Sequence, residues 1–264
     1  MSAFDSVDPA GRCALVTGAG SGIGRAIALR LAAAGARVAL LGRDPDRLGR
    51  VAAEISAAEG EAFVVPCDLT HSRQLEAALK MATGALGPIE ILVNNAGIAH
   101  SAPLARTTDE DIDRVLALNL HAAFALTRAL APAMQAARYG RIVNIGSTAS
   151  LRGFAYCALY TASKHALAGL TRSLAAELLP NGITVNLVCP GYTDTPLVDR
   201  AAEVVATKTG KEESEVKAHF AQTNPLGRLV QPDEVAAAVL YLVGPGSGAI
   251  SGHSLVIDGG TQPV

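Results

Sequence analysis

Short runs of Val, Ile and Leu alternate along the chain with longer, alanine-rich segments of helical period. We predict strands at residues 13–17, 37–41, 62–66, 89–94, 141–146, 184–189 and 254–257. Helical patterns occupy residues 23–34, 45–58, 72–82, 108–135, 158–179 and 232–242. The strand runs are almost continuously apolar, which is typical of parallel strands covered on both faces. The pattern predicts a single-domain α/β fold over residues 1–264, with a doubly wound, Rossmann-type, seven-stranded parallel sheet and helices on both faces.

The composition narrows the classes of function. The formal net charge is −2 at pH 7, which gives no electrostatic case for binding nucleic acid or an anionic membrane. The four cysteines are far apart and form no Cys-x-x-Cys pair, so we predict reduced thiols in a cytoplasmic protein, without a metal site. No run of 18 apolar residues occurs, which argues against a spanning helix. The polar amino terminus, with Asp5 and Asp8, does not look like a signal peptide.

The stretch between Pro190 and Pro225 breaks the alternation, because it has polar helical character and no strand. A connection of this length is usually functional or disordered. It follows the carboxyl end of the sixth predicted strand, where sheets of this kind bind ligands. We therefore expect residues 191–225 to cover a substrate.

A glycine-rich loop joins the first predicted strand to the first helix, with the pattern Thr-Gly-x-x-x-Gly-x-Gly. Glycines at such a junction allow a tight turn and let the backbone approach a pyrophosphate at the helix amino terminus. Taken alone, the loop could also be a plain structural turn. We expect it to bind a dinucleotide through Gly18, Gly20, Ser21, Gly22, Ile23 and Gly24.

The end of the second strand indicates which dinucleotide is bound. NAD sites place an acid there for the adenosine ribose, whereas NADP sites use a nearby arginine for the 2′-phosphate. Here the strand ends at Gly42, and Arg43 follows. Asp44 could serve the ribose, but its place before Pro45 favours a helix N-cap. NADP(H) is favoured, and NAD(H) remains the alternative.

Tyr160 and Lys164 lie four residues apart in a helical segment, so their side chains share one helix face. A free phenol has a pKa of about 10, too high for efficient proton transfer near neutrality. A cation held beside the phenol would lower that pKa. With a dinucleotide loop, the pair predicts a hydride-transfer enzyme whose proton comes from a tyrosine.

Further motifs follow the predicted strands in a fixed order. They are Asn94-Asn95-Ala96-Gly97 after the fourth strand, Asn119 in the next helix, Ser147 at the end of the fifth strand, Tyr160-Thr161-Ala162-Ser163-Lys164, and Pro190-Gly191 at the end of the sixth. With the glycine loop, this set resembles the short-chain dehydrogenase/reductase family from Gly11 to Gly260. Singly, each residue has a structural alternative, such as a solvated lysine or a strand-end cap; the ordered set is highly specific.

The resemblance implies a role for each motif residue. Tyr160 would be the general acid in reduction and the general base in oxidation, and Lys164 would hold the nicotinamide ribose. Ser147 would hydrogen-bond the substrate carbonyl, and Asn119 would hold a water that links Lys164 to solvent. The nucleotide would also contact Asp68, Leu69, Asn95, Ala96, Gly97, Tyr160, Lys164, Pro190, Gly191, Thr193 and Thr195.

The substrate is less constrained. The carboxyl-terminal motifs, including Asn224-Pro225-Leu226-Gly227-Arg228 and Asp258-Gly259-Gly260, resemble 3-oxoacyl-carrier-protein reductases, polyketide ketoreductases and 3-hydroxybutyrate dehydrogenases. By the same resemblance the pocket would be formed by Ser147, Ala149, Ser150, Cys157, Tyr160, Tyr192 and Leu197. His100 is a candidate for the substrate mouth, whereas His165 should point away from Lys164 because adjacent helical residues diverge.

Three hypotheses remain open at this point. The first is a reversible NADP(H)-dependent carbonyl reductase or alcohol dehydrogenase acting on a small-molecule ketone or 3-oxoacyl substrate. The second is an NAD-dependent 3-hydroxyacyl or 3-hydroxybutyrate dehydrogenase, and the third is a non-catalytic nucleotide sensor. The family resemblance also implies a homotetramer or dimer built on the long helical segments 108–135 and 158–179.

The absence of a carboxylate at the end of the second strand is testable. Gly42→Asp should shift cofactor preference from NADP(H) toward NAD(H), because an acid there binds ribose hydroxyls and repels a 2′-phosphate. The measurement is the ratio of kcat/KM for the two coenzymes. An unchanged ratio would count against the assignment of NADP(H).

Overall fold

The computed structural model describes residues 9–261 and confirms the predicted sheet. Its seven strands are β1 (Cys13–Thr17), β2 (Arg37–Gly42), β3 (Glu61–Pro66), β4 (Ile91–Asn94), β5 (Gly140–Ile145), β6 (Ile183–Pro190) and β7 (Ser254–Ile257). All pairings are parallel, in the order β3-β2-β1-β4-β5-β6-β7. Asp5 and Asp8 lie outside the described residues.

The helices follow the predicted segments closely, with one internal interruption. They are α1 (Gly22–Ala33), α2 (Pro45–Ala57), α3 (Ser72–Leu86), α4 (Asp109–Leu116), α5 (Ala122–Ala137), α6 (Ala158–Leu178), α7 (Pro196–Thr209), α8 (Glu213–Gln222) and α9 (Pro232–Val243). A π-helical turn, Ala117–His121, joins α4 to α5, so the long helix predicted over 108–135 is continuous but locally widened. Helices α7 and α8 fill the connection between Pro190 and Pro225.

Two apolar layers hold the helices against the sheet. Side chains of α1, α2 and α9 pack on one face, and side chains of α3, α5 and α6 pack on the other. Strands β1, β4, β5 and β6 are buried along their whole length. This accounts for their continuous apolar sequences, since a strand covered on both sides has no solvent-facing positions.

The strand order reverses between β1 and β4, and polar contacts join the two strand ends there. Thr17 Oγ1 accepts the backbone N–H groups of Asn95 and Ala96, each at 2.9 Å. Asn95 Nδ2 donates to the Thr17 carbonyl oxygen at 2.8 Å. In an open α/β sheet the crevice at such a reversal is the usual ligand site. The contacts therefore fix the glycine loop and the Asn95–Gly97 segment on opposite sides of one crevice.

The helical stretch Asp109–Ala137 is long and apolar enough to span a membrane. This differs from the expectation drawn from the absence of an uninterrupted run of 18 apolar residues. The mean hydropathy of the helix is high although a few polar residues interrupt the apolar ones. In the structure 44% of its apolar window is buried inside the protein, where Leu126, Leu130 and Met134 pack on the sheet. A core helix packed inside a protein can have the same length and composition as a helix that spans a membrane.

A chain of buried polar side chains ties α6 to the centre of the sheet. Asn94 Nδ2 donates to Asn144 Oδ1 at 2.8 Å, and Asn144 Nδ2 donates to Thr171 Oγ1 at 2.9 Å. Thr171 Oγ1 in turn donates to the Leu167 carbonyl oxygen. Buried polar groups are costly unless paired, so this chain specifies one position of α6 against β4 and β5.

We expect Thr171→Val to lower the free energy of unfolding by about 1–3 kcal/mol, because the Asn144 amide loses its buried acceptor. Thr207→Val is the matched control, since Thr207 also donates to the carbonyl four residues earlier but is exposed on α7. Urea unfolding of both variants measures the difference. Equal losses in the two variants would show that the buried chain contributes nothing specific.

Candidate active site

Ser147, Tyr160 and Lys164 meet in one cleft at the carboxyl ends of the strands. Ser147 lies just beyond β5, where its Oγ accepts the N–H of Ala149 at 3.1 Å. Tyr160 and Lys164 lie in the first two turns of α6, and the Ser147 side chain lies close enough to the Tyr160 hydroxyl to lower its pKa. The cleft is lined by Ile23, Asn95, Gly97, Ile98, Ile145, Gly146, Ser147, Tyr160, Lys164, Pro190, Gly191, Thr193, Thr195, Leu197 and Val198.

The electrostatics of Tyr160 differ from the prediction. The sequence predicts that Lys164 lowers the phenol pKa, but burial raises the pKa of Tyr160 to about 12, against a smaller lowering by the hydrogen bond with Ser147. Lys164 Nζ lies 5.8 Å from the centre of the Tyr160 ring and donates to the Ile145 carbonyl oxygen at 2.8 Å. The groups of the chain alone therefore favour the neutral phenol.

Lys164 is itself held in an unfavourable environment for a cation. Only 4% of the residue is exposed, and burial lowers the pKa of its amine to about 8. Gly97 lies close by, since a Cβ there would stand 3.5 Å from Lys164 Nζ and 3.1 Å from Asn119 Oδ1. The amine thus lies close to the segment after β4, with little room for a larger residue.

Asn119 is placed by the π-helical turn and connects that segment to α6. Its Oδ1 accepts the N–H of Ile98 at 2.9 Å, and its Nδ2 donates to the Ile98 carbonyl oxygen and to Ser163 Oγ, each at 3.0 Å. Ser163 Oγ donates to the Tyr160 carbonyl oxygen at 2.7 Å. The Asn119 side chain therefore joins the backbone of Ile98 to the first turns of α6, and π turns recur at functional sites for such local adjustments.

The glycine loop has the shape that a pyrophosphate needs. Gly18 and Gly22 adopt positive φ angles of 64° and 52°, and a Cβ at Gly24 would stand 2.2 Å from the Gly18 carbonyl oxygen. A Cβ at Gly22 would stand 3.0 Å from Thr195 Cγ2. The first turn of α1 carries no acidic residue, so its positive end is free of competing carboxylates. Backbone N–H groups and a helix amino terminus fit a bound phosphate pair.

The adenosine end of the crevice lies at the end of β2. The N-cap interpretation of Asp44 is confirmed, since its Oδ1 accepts the N–H groups of Asp46 and Arg47. Arg43 is exposed. Burial acts to raise the pKa of Asp68, but hydrogen bonds from Thr70 and the charges of His71 and Arg43 bring it below its ordinary value. Arg43 therefore lies near enough to Asp68 for its charge to act on the carboxylate.

Comparison with known proteins identifies the family. The sequence model of the family described as enoyl-(acyl carrier protein) reductase matches residues 18–262. The chain is 42% identical to the granaticin polyketide synthase putative ketoacyl reductase 1 of Streptomyces violaceoruber, over 94% of this chain and 92% of the relative. The chain belongs to the short-chain dehydrogenase/reductase family. Members of this family are NAD(P)(H)-dependent oxidoreductases, and relatives of this chain are named as dehydrogenases and reductases.

Other relatives widen the range of named activities within the family. The chain is 35% identical to a D-beta-hydroxybutyrate dehydrogenase of Rhizobium meliloti, over 94% of this chain and 98% of the relative. A crystal structure of a single-substitution variant of the actinorhodin polyketide ketoreductase with NADPH superposes with a TM-score of 0.92, at 38% identity and 99% coverage of each chain.

The structure of this short-chain dehydrogenase/reductase separates the expected pocket residues into two groups. Leu197 lines the cleft, and Tyr192 is partly exposed with its ring stacked on Phe220 at 4.4 Å. Cys157 is half-buried near Tyr160 and Tyr192. Ala149 and Ser150 are buried instead, and Ser150 Oγ accepts the N–H of Ser147. Ser150 thus holds the backbone of Ser147 and is not among the residues that line the cleft.

The remaining predicted residues lie around the cleft. His100 Nε2 lies 3.4 Å from Asp111 Oδ2 with its side chain 11% exposed, and His165 is exposed and bonded to the Thr161 carbonyl oxygen. Leu69, Ala96 and Asn119 line a smaller cavity. Among residues 9–261 no cluster of His, Cys, Asp or Glu has the arrangement of metal ligands.

Sequence reasoning missed Cys189 and Ser163. Cys189 lies at the carboxyl end of β6 close to Ser147 and Ser150, and burial raises the pKa of its thiol to about 11. Its position at the carboxyl end of a buried strand was the available signal. Ser163 precedes Lys164 directly and forms hydrogen bonds with the Asn119 side chain and the Tyr160 carbonyl oxygen. These contacts depend on the π turn, which the sequence pattern did not predict.

The low pKa of Lys164 has a consequence for stability. Between pH 8 and about 10 the unfolded chain binds more protons at this amine than the folded chain, so the free energy of unfolding should rise by at most about 1.4 kcal/mol per pH unit. Above pH 10 the raised pKa of Tyr160 acts in the opposite direction. The stability advantage of wild type over Lys164→Met should therefore grow with pH through this window.

Urea unfolding at a series of pH values measures the advantage. Lys80→Met, on the exposed face of α3, is the control and should follow the wild-type profile. A difference between wild type and Lys164→Met that is flat with pH would show that the folded protein does not resist protonation of this amine.

Proposed function

We propose that this protein is an NADP(H)-dependent oxidoreductase that interconverts a ketone and a secondary alcohol, with Tyr160 as the general acid or base. The observation that carries the proposal is that Ser147, Tyr160 and Lys164 line one cleft with the predicted nucleotide-binding segments, where the Ser147 and Tyr160 side chains interact. Two hydroxyls side by side can both donate to one carbonyl oxygen, which is what the reduction of a ketone requires of its site.

In the direction of reduction, Ser147 donates a hydrogen bond to the carbonyl oxygen and stabilises its developing charge. The nicotinamide cofactor, when bound, supplies the hydride to the carbonyl carbon. The Tyr160 proton moves to the oxygen, and solvent restores it. Near neutrality the raised pKa leaves the phenol protonated and able to donate, but it also makes the phenol a weak acid. Lys164 holds its amine beneath the ring and is placed to bind the nicotinamide ribose.

The nucleotide would lie across the crevice between β1 and β4. The glycine loop from Gly18 to Gly24 would hold the pyrophosphate, and Arg43 would meet the 2′-phosphate. Segments after β4 and β6 would hold the nicotinamide end, through Asn95, Gly97, Pro190, Gly191, Thr193 and Thr195. Asp68 and Leu69 would contact the adenine.

The substrate we propose is a ketone on an acyl, alicyclic or aromatic body. Ile98, Leu197 and Val198 give the cleft an apolar wall, which suits such a body better than a sugar. Helices α7 and α8, within residues 191–225, would cover it. The similarity to relatives named as polyketide ketoacyl reductases supports the same choice.

A second candidate is an NAD-dependent 3-hydroxyacyl or 3-hydroxybutyrate dehydrogenase, which the similarity to D-beta-hydroxybutyrate dehydrogenases favours. A non-catalytic nucleotide sensor is disfavoured, because it would leave the Ser147 and Tyr160 pair without a task. We also propose a homo-oligomer, a tetramer or dimer, in which the exposed Ile112 and Phe124 on the long helix are covered.

Tyr160→Phe should lower kcat for ketone reduction by about 100-fold to 10,000-fold, the usual contribution of general acid catalysis, while nucleotide affinity stays within a factor of about two. Tyr156→Phe is the control, since Tyr156 is 70% exposed and is not among the residues that line the cleft. The assay follows reduced-nicotinamide absorbance with alicyclic, aryl and 3-oxoacyl thioester ketones and with acetoacetate, using each coenzyme.

The pattern of rates separates the hypotheses. Retained turnover in Tyr160→Phe would refute the acid role of this residue. Turnover confined to acetoacetate with NADH would favour the second candidate, and nucleotide binding without turnover across the panel would favour the sensor.

A further inference from the structure

The first turn of α2 lies at the junction of the glycine loop and the end of β2. A Cβ at Gly20 would stand 3.0 Å from Arg47 Cβ and 3.7 Å from Leu48 Cδ2, and a Cβ at Gly42 would stand 3.3 Å from the same Leu48 atom. Doubly wound sheets place the adenosine ribose between these two segments. Arg47 therefore begins next to the position that the ribose and its 2′ substituent would take.

An ion pair orients the Arg47 side chain. Arg47 Nε lies 3.1 Å from Asp44 Oδ2, while Asp44 Oδ1 is held by the N–H groups of Asp46 and Arg47. The carboxylate thus caps the helix with one oxygen and fixes the guanidinium with the other. The contact is made through Nε. A half-exposed guanidinium held in this way presents the fork that binds phosphate oxygens.

The charges around this position argue for two arginines rather than one. Asp44, Asp46 and Asp68 all lie at the adenosine end, and Asp68 interacts with Arg43. A single arginine partly neutralised by a neighbouring carboxylate would be a weak partner for a phosphate dianion. Arg43 approaches from the strand end, beside Asp68, and Arg47 approaches from α2, beside the glycine loop.

We propose that Arg47 is a second ligand of the 2′-phosphate of NADP(H) and a determinant of coenzyme specificity, acting together with Arg43. The inference rests on the proposed NADP(H)-dependent function. Its test therefore uses binding of adenosine fragments, which does not depend on turnover.

Calorimetry compares adenosine 2′,5′-bisphosphate with adenosine 5′-monophosphate. Arg47→Ala should weaken binding of the bisphosphate by about 10-fold, the loss of one charge-assisted contact, and should leave the monophosphate within a factor of about two. Arg50→Ala is the matched control, an exposed arginine one turn further along α2, and should change neither ligand. The variant should fold normally, because an exposed ion pair contributes little to stability.

Each outcome decides a separate point. Equal weakening of both ligands would place Arg47 on the adenine or the 5′-phosphate and overturn the inference, as would no effect on either. A wild-type protein that binds both ligands equally well would overturn the NADP(H) assignment together with the role of Arg47. Arg47-dependent binding of the bisphosphate in a protein that reduces no ketone would sustain the inference and defeat the proposed reaction.

Discussion

The reversal of strand order between β1 and β4, joined by the hydroxyl of Thr17, is the constraint on which the site depends. One oxygen accepts the N–H groups of Asn95 and Ala96, so two loops that leave the sheet in different directions are held at a fixed separation. The glycine loop then opens α1 toward the crevice, and the segment after β4 reaches Asn119. A short polar residue at the end of β1 thereby sets the width of the nucleotide groove.

Tyr160 and Lys164 are placed from the opposite side of the cleft by buried polar contacts that are costly to lose. The chain from Asn94 through Asn144 to Thr171 fixes α6, and the contacts of Asn119 with Ser163 fix its first turns. The same burial that orders Tyr160 and Lys164 pushes their pKa values in opposite directions, toward a neutral phenol and a less protonated amine. Burial therefore both fixes the positions of the two side chains and shifts their pKa values.

The sequence was sufficient for the fold, which depends on short-range patterns. The family resemblance named many of the residues that line the cleft, but not Ile98 or Val198. Continuous apolar strands predict a covered parallel sheet, and the spacing of Tyr160 and Lys164 predicts one helix face. The direction of the Tyr160 pKa was not predictable, since it depends on how deeply several elements bury one hydroxyl. The inward position of Ser150 and the pairing of His100 with Asp111 could not be predicted either, because both depend on tertiary contacts.

The prediction of the coenzyme shows that a rule for the end of one strand takes no account of the helix that follows it. The rule that assigns the coenzyme from the end of β2 considers Gly42 and Arg43 but no residue of the helix that follows. The structure brings the first turn of α2 back against Gly20, so Arg47, which the strand-end rule does not consider, lies beside the glycine loop. Asp44, which the rule sets aside as a cap, also directs Arg47 through its second oxygen. One carboxylate therefore both caps α2 and holds Arg47, and the proposed role of Arg47 in coenzyme selectivity rests on that geometry.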